Sequence, residues 1–500
     1  MRCFVSRENF FMVGSAAGRR WVDKANGRAG RIKFARPGRL PRLWTVMPEA
    51  PATPDAIRDP YAALREPDYR RFLIGNTLSN IGRQALSLAA SWQIYQWTQS
   101  PTALGLVGLV NFLPYIVLAL PAGHLADRVN RRNLIQLTLA LSAGFSVLLA
   151  WVSAWPDAVP DWAVWRTVNG GLMWTARLFE GADHVHAAGF TSPALAAVFL
   201  LLLVNAAIRT LGAPARASLV PLILPRALLS NAITWSSSTF ELTAVIGPTV
   251  AGFVITWAGF TTVYVLDAVL GLAMVVLLAR IAYREPERRA EPVTLRTLGA
   301  GVGFIWRHKE IFAASNLDMF ATLLGGAVSL LPVYADKILG VGALGLGWLR
   351  AAPSLGAIVM ALAMAHRAPL KRPGWTMLWA VAAFGVVVIV FGFSHWYWLS
   401  FAMLVLSGCF DNVSVVVRQS MVQLMTPDHL RGRVTAVNQI FIISSNEVGA
   451  FRAGTMAGMF GPVVAAVAGG VGTVLVVLGT GALFPQLKRL VRLPDLKPVE

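Results

Sequence analysis

Nine ionisable side chains stand inside long apolar runs of this 500-residue chain: Arg83, Arg209, Glu241, Asp267, Asp318, Asp411, Arg418, Glu447 and Arg452. At mid-bilayer each would cost roughly 2.5 to 3.5 kcal/mol on insertion scales, so each is expected to face protein or enclosed water. Residues of that kind either pair into bridges that hold helices together or line a route for a proton or a charged solute. Asp411 and Arg418 lie two helical turns apart on one face, a spacing that brackets a site or lets each pair with another helix. A different chemistry belongs to the stretch Gly123-His124-Leu125-Ala126-Asp127-Arg128-Val129-Asn130-Arg131-Arg132, set between two apolar runs. Gly123 would let helices approach or the chain turn, Asn130 tolerates a left-handed backbone, and Arg128, Arg131 and Arg132 suit lipid phosphate. Asp127 among them reads as a local salt bridge or as a latch to a neighbouring helix.

The elements that must position these residues follow from composition. The chain is 56% hydrophobic and only 14% charged, with a mean hydropathy of +0.58, outside the range of soluble domains. Apolar runs fall at about 72–97, 102–123, 133–155, 194–214, 229–257, 260–282, 311–335, 342–365, 375–394, 396–420, 434–460 and 462–486. Each is long enough to cross roughly 30 Å of hydrocarbon as a helix, and the alternation of a membrane barrel is absent. The expected fold class is therefore an all-α membrane protein of about twelve transmembrane helices. Cys3 and Cys409 are too few and too far apart for a disulfide framework. The formal charge of +19 does not point to nucleic acid, because outside the N-terminal tail the basic residues lie in short turns, where anionic lipid and topology account for them.

Those turns set an orientation. Arg128, Arg131, Arg132, Arg226, Arg284, Arg288, Arg367, Lys371, Arg431, Arg433 and Lys488 share one side, whereas the connections near Ser100, Gly259, Ser394 and Gly461 are bare. The positive-inside rule then puts both termini in the cytoplasm of a multi-pass inner (plasma) membrane protein. The expected domains are a basic disordered tail over 1–58, a six-helix bundle over 59–283, a cytoplasmic linker over 284–310, a second bundle over 311–487 and a tail over 488–500. Met47 is a plausible start of translation, which would leave 1–46 untranslated; the alternative is a lipid-binding arm. An outer connection over 156–193 carries Trp162, Trp165 and Trp174 at spacings suited to a helix lying in the interface. Glu180, Asp183, His184 and His186 have metal-ligand chemistry, but His-x-His alone guarantees no convergent geometry, and no metal or cofactor is assigned.

The chain also repeats itself. Asn76 and Ala103-Leu104-Gly105-Leu106 recur about 240 positions later as Asn316 and Ala343-Leu344-Gly345-Leu346. Arg216-Ala217-Ser218 answers Arg418-Gln419-Ser420, and Glu241 with Ala251-Gly252 answers Glu447 with Ala457-Gly458, at an offset of about 206. The shorter offset is expected if the outer connection is an insertion in the first half. Glu241 and Glu447 are on this reading equivalent residues of two duplicated halves, near the repeat interface where substrates bind.

The stretch from Gly123 to Arg132 resembles the signature loop between the second and third helices of the major facilitator superfamily. Over residues 60–490 the chain is similar to that superfamily's enterobactin-exporter-like branch, the transmembrane secretion effectors, through Pro214-Ala215-Arg216-Ala217-Ser218-Leu219-Val220-Pro221, Gly247-Pro248 and Arg431-Gly432-Arg433-Val434. The resemblance implies two pseudo-symmetric six-helix bundles, alternating access and proton-driven export. It also implies a latch from the loop to neighbouring helices, closed when the cavity faces out, for which Arg209 or Arg216 is the natural partner of Asp127. Two departures stand out: Asn130 where the family loop usually has glycine, and Arg83 after Gly82 where many relatives carry an acidic residue. The expected function is a secondary active transporter exporting a small organic compound, siderophore or drug-like. Its proton and substrate pathway would run through Arg83, Glu241, Asp318, Asp411, Arg418 and Glu447. The expected partners are that substrate, protons and anionic lipid, with the chain a monomer. The alternatives are a transporter-like sensor or assembly protein without flux, and a lysophospholipid flippase. An enzyme is not expected, because no nucleotide-binding glycine loop and no nucleophile with a base appear.

Overall fold

The structure is a computed structural model, and it describes residues 10–15, 18–23, 29–31, 59–183, 185–281, 295–366 and 371–490. Two units are distinguished, residues 1–59 and residues 60–500. In the first, β1 (Phe10–Ser15), β2 (Gly18–Asp23) and β3 (Ala29–Arg31) pair antiparallel in the order β1-β2-β3, with Phe10 opposite Asp23. These strands fall in the stretch 1–58 for which the sequence reading expects disorder. Phe10, Phe11, Val13, Trp21 and Val22 supply the aromatic and β-branched types that favour a pleated ribbon.

The second unit is helical. The long helices are α1 (Pro67–Thr98), α2 (Pro101–Arg128), α3 (Arg131–Ala154), α4 (Ala163–Glu180), α5 (Pro193–Ile223) and α6 (Leu229–Ala279). They continue with α7 (Leu295–Arg307), α8 (Lys309–Gly325), α9 (Gly342–Ala365), α10 (Pro373–Phe393), α11 (Tyr397–Met425), α12 (Asp428–Phe460) and α13 (Pro462–Leu483). Starts are written locally. Pro67, Pro101, Pro193, Pro373 and Pro462 open their helices, where the missing N–H costs nothing, and Ser100 and Ser192 cap the helices they precede.

Among the described residues nine helical segments are both long and apolar enough to cross a membrane. One of them is two passes. Gly259 breaks α6 with φ 78° and ψ 176°, and a Cβ on Gly247 would meet Gln84 while one on Gly82 would meet Asp267. Residues 247 and 267 would stand about 30 Å apart along a straight helix, yet both pack at residues 81–85 of α1, so the chain doubles back. Helices α1 and α12 have the length but are too polar to count on composition.

Near the signature loop the backbone corrects two readings. α2 continues helical through Gly123, with open space around it, as far as Arg128. Asn130 is extended (φ −61°, ψ 119°) and caps α3 by accepting from the Asn133 N–H. The change of direction is thus confined to Val129 and Asn130, and the asparagine is used for its side-chain oxygen, not for a left-handed backbone. The linker expected over 284–310 contains α7, whose Phe304 and Ile305 are buried in the second bundle's core; residues 282–294 lie outside the described residues.

Gly461, between α12 and α13, has nearly the backbone of Gly259: φ 86° and ψ 158° against 78° and 176°. That pair fixes the offset between the halves at 461 − 259 = 202, the offset of Arg216 and Arg418 as well. Glu241 and Glu447 are therefore not equivalent. Glu241 precedes its glycine by 18 residues and Glu447 by 14, one helical turn or about 6 Å along the axis. The four-residue discrepancy came from matching Gly252 to Gly458. The structure matches Gly252, against Ala343 and Gly347, to Gly454, against Pro101 and Gly105.

The cores show how the halves meet. One buried cluster takes residues from both bundles, including Leu104 and Leu106 with Ala453 and Ala457, and Ala251 with Leu346 and Leu349. It lies at the end with bare connections. At the arginine-rich end the clusters are separate: Phe72, Leu134, Leu139 and Leu278 in one half, and Ile311, Met377, Met421 and Val434 in the other. The bundles are thus joined at one end and parted at the other.

Candidate functional site

α8 stops at Gly325, and the chain continues as the short turns Ala327–Leu330 and Leu331–Val333 before a wide-turn segment Tyr334–Ile338. A break at that depth strands backbone carbonyls that must find donors inside the protein. Two arginines supply them. Arg452 donates from Nε to the Leu323 carbonyl at 3.0 Å and from Nη2 to that of Leu324, and Arg350 donates to the Val328 carbonyl at 3.1 Å. Arg350 is a functional residue the sequence reading passed over. Its signal was there, a lone guanidinium in the run 342–365, but its purpose depends on a break in another helix.

Beside the break lies a cavity of about 350 Å³ lined by Asp318, Arg350, Asp411, Arg418, Asn446 and Glu447 among others. Toward the closed end it adjoins a space of about 110 Å³ shared with Ser87, Ser91 and Asn111 of the first bundle. Toward the parted end a vestibule of about 1040 Å³ is lined by Glu241, Ser236, Asn412 and Gln419. The spaces share linings: Arg350 and Glu447 border the first two, and Val415 borders the main cavity and the vestibule.

Arg418, 2% exposed, ion-pairs with Asp318 at 3.2 Å and donates to Asn438 Oδ1 at 2.9 Å. In the first bundle Arg209 pairs with Asp267 at 3.3 Å and donates to Asn205 Oδ1 at 3.0 Å, while Ser146 donates to Asp267 Oδ2 at 2.6 Å. Among the described residues neither Asp411, Glu241 nor Glu447 forms an ion pair. Arg83 reaches only Asn80, three residues back on its own helix.

With the bundles parted at the loop end, the expected latch partners stand away from Asp127. Asp127 pairs with Arg131 at 3.6 Å, one turn further on, and Arg209 is held by Asp267. Among the described residues Arg216 forms no salt bridge, and its buried Nε has no hydrogen-bond partner. The two residues project from α5 into the first bundle beside Ser79 and Gly271, away from the loop. Arg132 instead ties α3 to the end of α6 through the carbonyls of Ala279 and Ile281, and Arg128 is exposed. Glu180 is also accounted for: it accepts from Ser100 Oγ at 2.5 Å and from the Thr102 N–H at 2.9 Å. His184 lies outside the described residues.

Two helical bundles closed at one end, parted at the other, with a charged cavity at mid-depth, define a membrane transporter of the major facilitator type. The chain belongs to the transmembrane secretion effector family, whose sequence model matches residues 58–168 and 170–492. It is 24% identical over 428 residues to the enterobactin exporter EntS of Escherichia coli O1:K1 / APEC and to that of Shigella boydii serotype 18, covering 86% of this chain and 94% of each relative. A bacterial homologue of the iron transporter ferroportin, solved in an inward-facing state, aligns with a TM-score of 0.60 at 15% identity, over 83% of this chain and 98% of that one. A D-xylose–proton symporter aligns with a TM-score of 0.60 at 12% identity, over 86% and 99%. At such identities the structural likeness speaks for the fold. The protein is a multi-pass membrane transporter and not an enzyme.

Proposed function

We propose that the protein exports a small organic compound from the cytoplasm across the inner membrane, exchanging it for protons by alternating access. The observation that carries this reading is the mid-depth cavity on the second bundle, with Asp411 and Glu447, which form no salt bridge among the described residues, in its wall and a wide approach at the arginine-rich end. By the positive-inside rule that end is cytoplasmic, with both termini, and the state described is inward-facing. A carboxylate not locked in a salt bridge can take a proton from one side and release it on the other. A potential of about 100 mV supplies about 2.3 kcal/mol per proton, enough for roughly fifty-fold accumulation. The enterobactin exporters named above favour the outward direction and a siderophore-like or drug-like cargo. The basic turns suit anionic lipid head groups, and the cavity is complete within one chain, as a monomer requires.

The test is uptake into everted membrane vesicles. Accumulation that collapses with a protonophore supports the proposal. Ligand binding without flux would replace it with a sensor, and movement of lysophospholipid alone would replace it with a flippase.

A further inference from the structure

All three arginines in the interior of the second bundle are engaged: Arg350 and Arg452 with carbonyls at the helix break, Arg418 with Asp318. The first bundle differs. Arg83, Arg209 and Arg216 lie within Coulombic reach of one another, and Asp267, the one carboxylate beside them, is bonded to Arg209 and Ser146. Arg216 has no bonded partner, and Arg83 has only Asn80 of its own helix. Three guanidiniums around the single carboxylate of Asp267 leave an excess of positive charge at membrane depth that a visiting anion would offset. Both are partly exposed, and their neighbours on the same helices border the transport spaces. Arg83 is one and two turns from Ser87 and Ser91, which line the cavity toward the closed end. Arg216 precedes Ala217 and lies one turn from Val220, both of which line the vestibule.

We propose that Arg83 and Arg216 form the recognition site for an anionic group on the cargo, making the transported compound an organic anion. A planar guanidinium fork takes a carboxylate or phosphate through two parallel N–H···O bonds, and two forks give orientation as well as charge. The inference rests on the transporter reading, and binding without flux tests it separately. Full-length protein in phosphatidylcholine nanodiscs is titrated with 2-naphthoate and two near-isosteres, 2-naphthalenemethanol and 2-naphthylmethylammonium, reading tryptophan quenching. The carboxylate should bind at least tenfold tighter than either. Arg83→Gln and Arg216→Gln should each erase that margin, with Arg216→Lys keeping part of it. Equal binding of the three probes by the unmodified protein, or unchanged selectivity in both glutamine variants, overturns the site. Selective binding with no flux of any compound would leave the site standing and remove the transport reading.

A separate set of contacts concerns α4, the helix that only the first half carries. Its Glu180 is fastened to the start of α2 through Ser100 and Thr102, yet its end also touches the second bundle. Phe179 meets Phe451 edge-on at 6.2 Å, and a Cβ on Gly458 would lie 2.7 Å from Glu180 Cγ. We infer that α4 is a strap across the closed mouth, whose hold on α12 must be released before that mouth opens. Spin labels at Trp155 and Phe460, one on each half, report the opening. Phe179→Ala should add a longer distance, raising its population several-fold, and a Phe179→Cys/Phe451→Cys disulfide in a background lacking Cys3 and Cys409 should abolish it. Identical distance distributions in all three proteins overturn the strap.

Discussion

Among single residues, the most consequential are those whose charge is buried and whose partner comes from another helix. Arg418 is such a residue, and removing it would leave Asp318 desolvated and uncompensated. Arg418→Met should destabilise the folded protein by about 3 to 5 kcal/mol, whereas Arg418→Met with Asp318→Leu should recover most of that loss. Thermal melting of the detergent-solubilised variants checks it. Glu447 and Glu241 differ in depth and in company: the first lies against Arg350 in the mid-depth cavity, the second in the vestibule near Ser354. Glu447→Gln is expected to uncouple flux from the proton gradient, and Glu241→Gln to keep it protonophore-sensitive; everted-vesicle transport at two external pH values separates them. The presence of these charges was plain in the sequence, since each interrupts an apolar run. Their pairing was not, because Asp318 and Arg418 are 100 positions apart and no spacing rule links different helices.

At the scale of elements, glycines set how closely the halves approach. On Gly105 a Cβ would come within 2.9 Å of the Phe451 carbonyl, and on Gly454 within 2.6 Å of the Pro101 carbonyl. A side chain at either position would wedge α2 from α12. Gly454→Val should therefore leave each bundle folded but keep the bare end from closing, read as a longer distance between spin labels on the two halves and a loss of flux. The break in α8 belongs to this scale too. Gly325-Gly326 was visible as a feature common in membrane helices, but that the chain unwinds there, and that Arg350 and Arg452 arrive to hold the freed carbonyls, follows from the packing of α8 against α9 and α12. The interfacial character of α4 was legible from its tryptophans. Trp162 and Trp174 remain 60% and 66% exposed, whereas the grip of Phe179 and Glu180 on the other half had no sequence signal.

For the whole molecule the question is which way the two halves rock and on which side of the membrane each mouth lies. With the arginine-rich end parted, Asp127 bonds within its own loop, through a partly exposed pair worth at most about 1 kcal/mol. Asp127→Asn should then barely move the melting temperature. It should lower flux sharply if the loop finds a second partner when the parted end closes; unchanged flux would confine Asp127 to its local role. The orientation itself predicts that cysteines introduced at Arg128 or Arg226 react with an impermeant thiol reagent in everted vesicles and not in intact cells. The opposite pattern would reverse the direction of every step proposed.

The sequence by itself determined the class: twelve apolar or nearly apolar runs, basic turns on one side, two duplicated halves and the loop around Asp127. These are local or periodic properties, set by the length and charge of contiguous segments, and a bilayer leaves such segments few alternatives to a helix. Only the tertiary structure decided that Arg209 pairs with Asp267. It likewise decided that Glu241 and Glu447 sit a turn apart, that α8 breaks beside a cavity, and that Arg83 and Arg216 form no salt bridge among the described residues. Each depends on how helices distant in the chain are rotated and offset against one another, and that is settled by close packing at glycines and by the accounting of buried charge across the whole bundle.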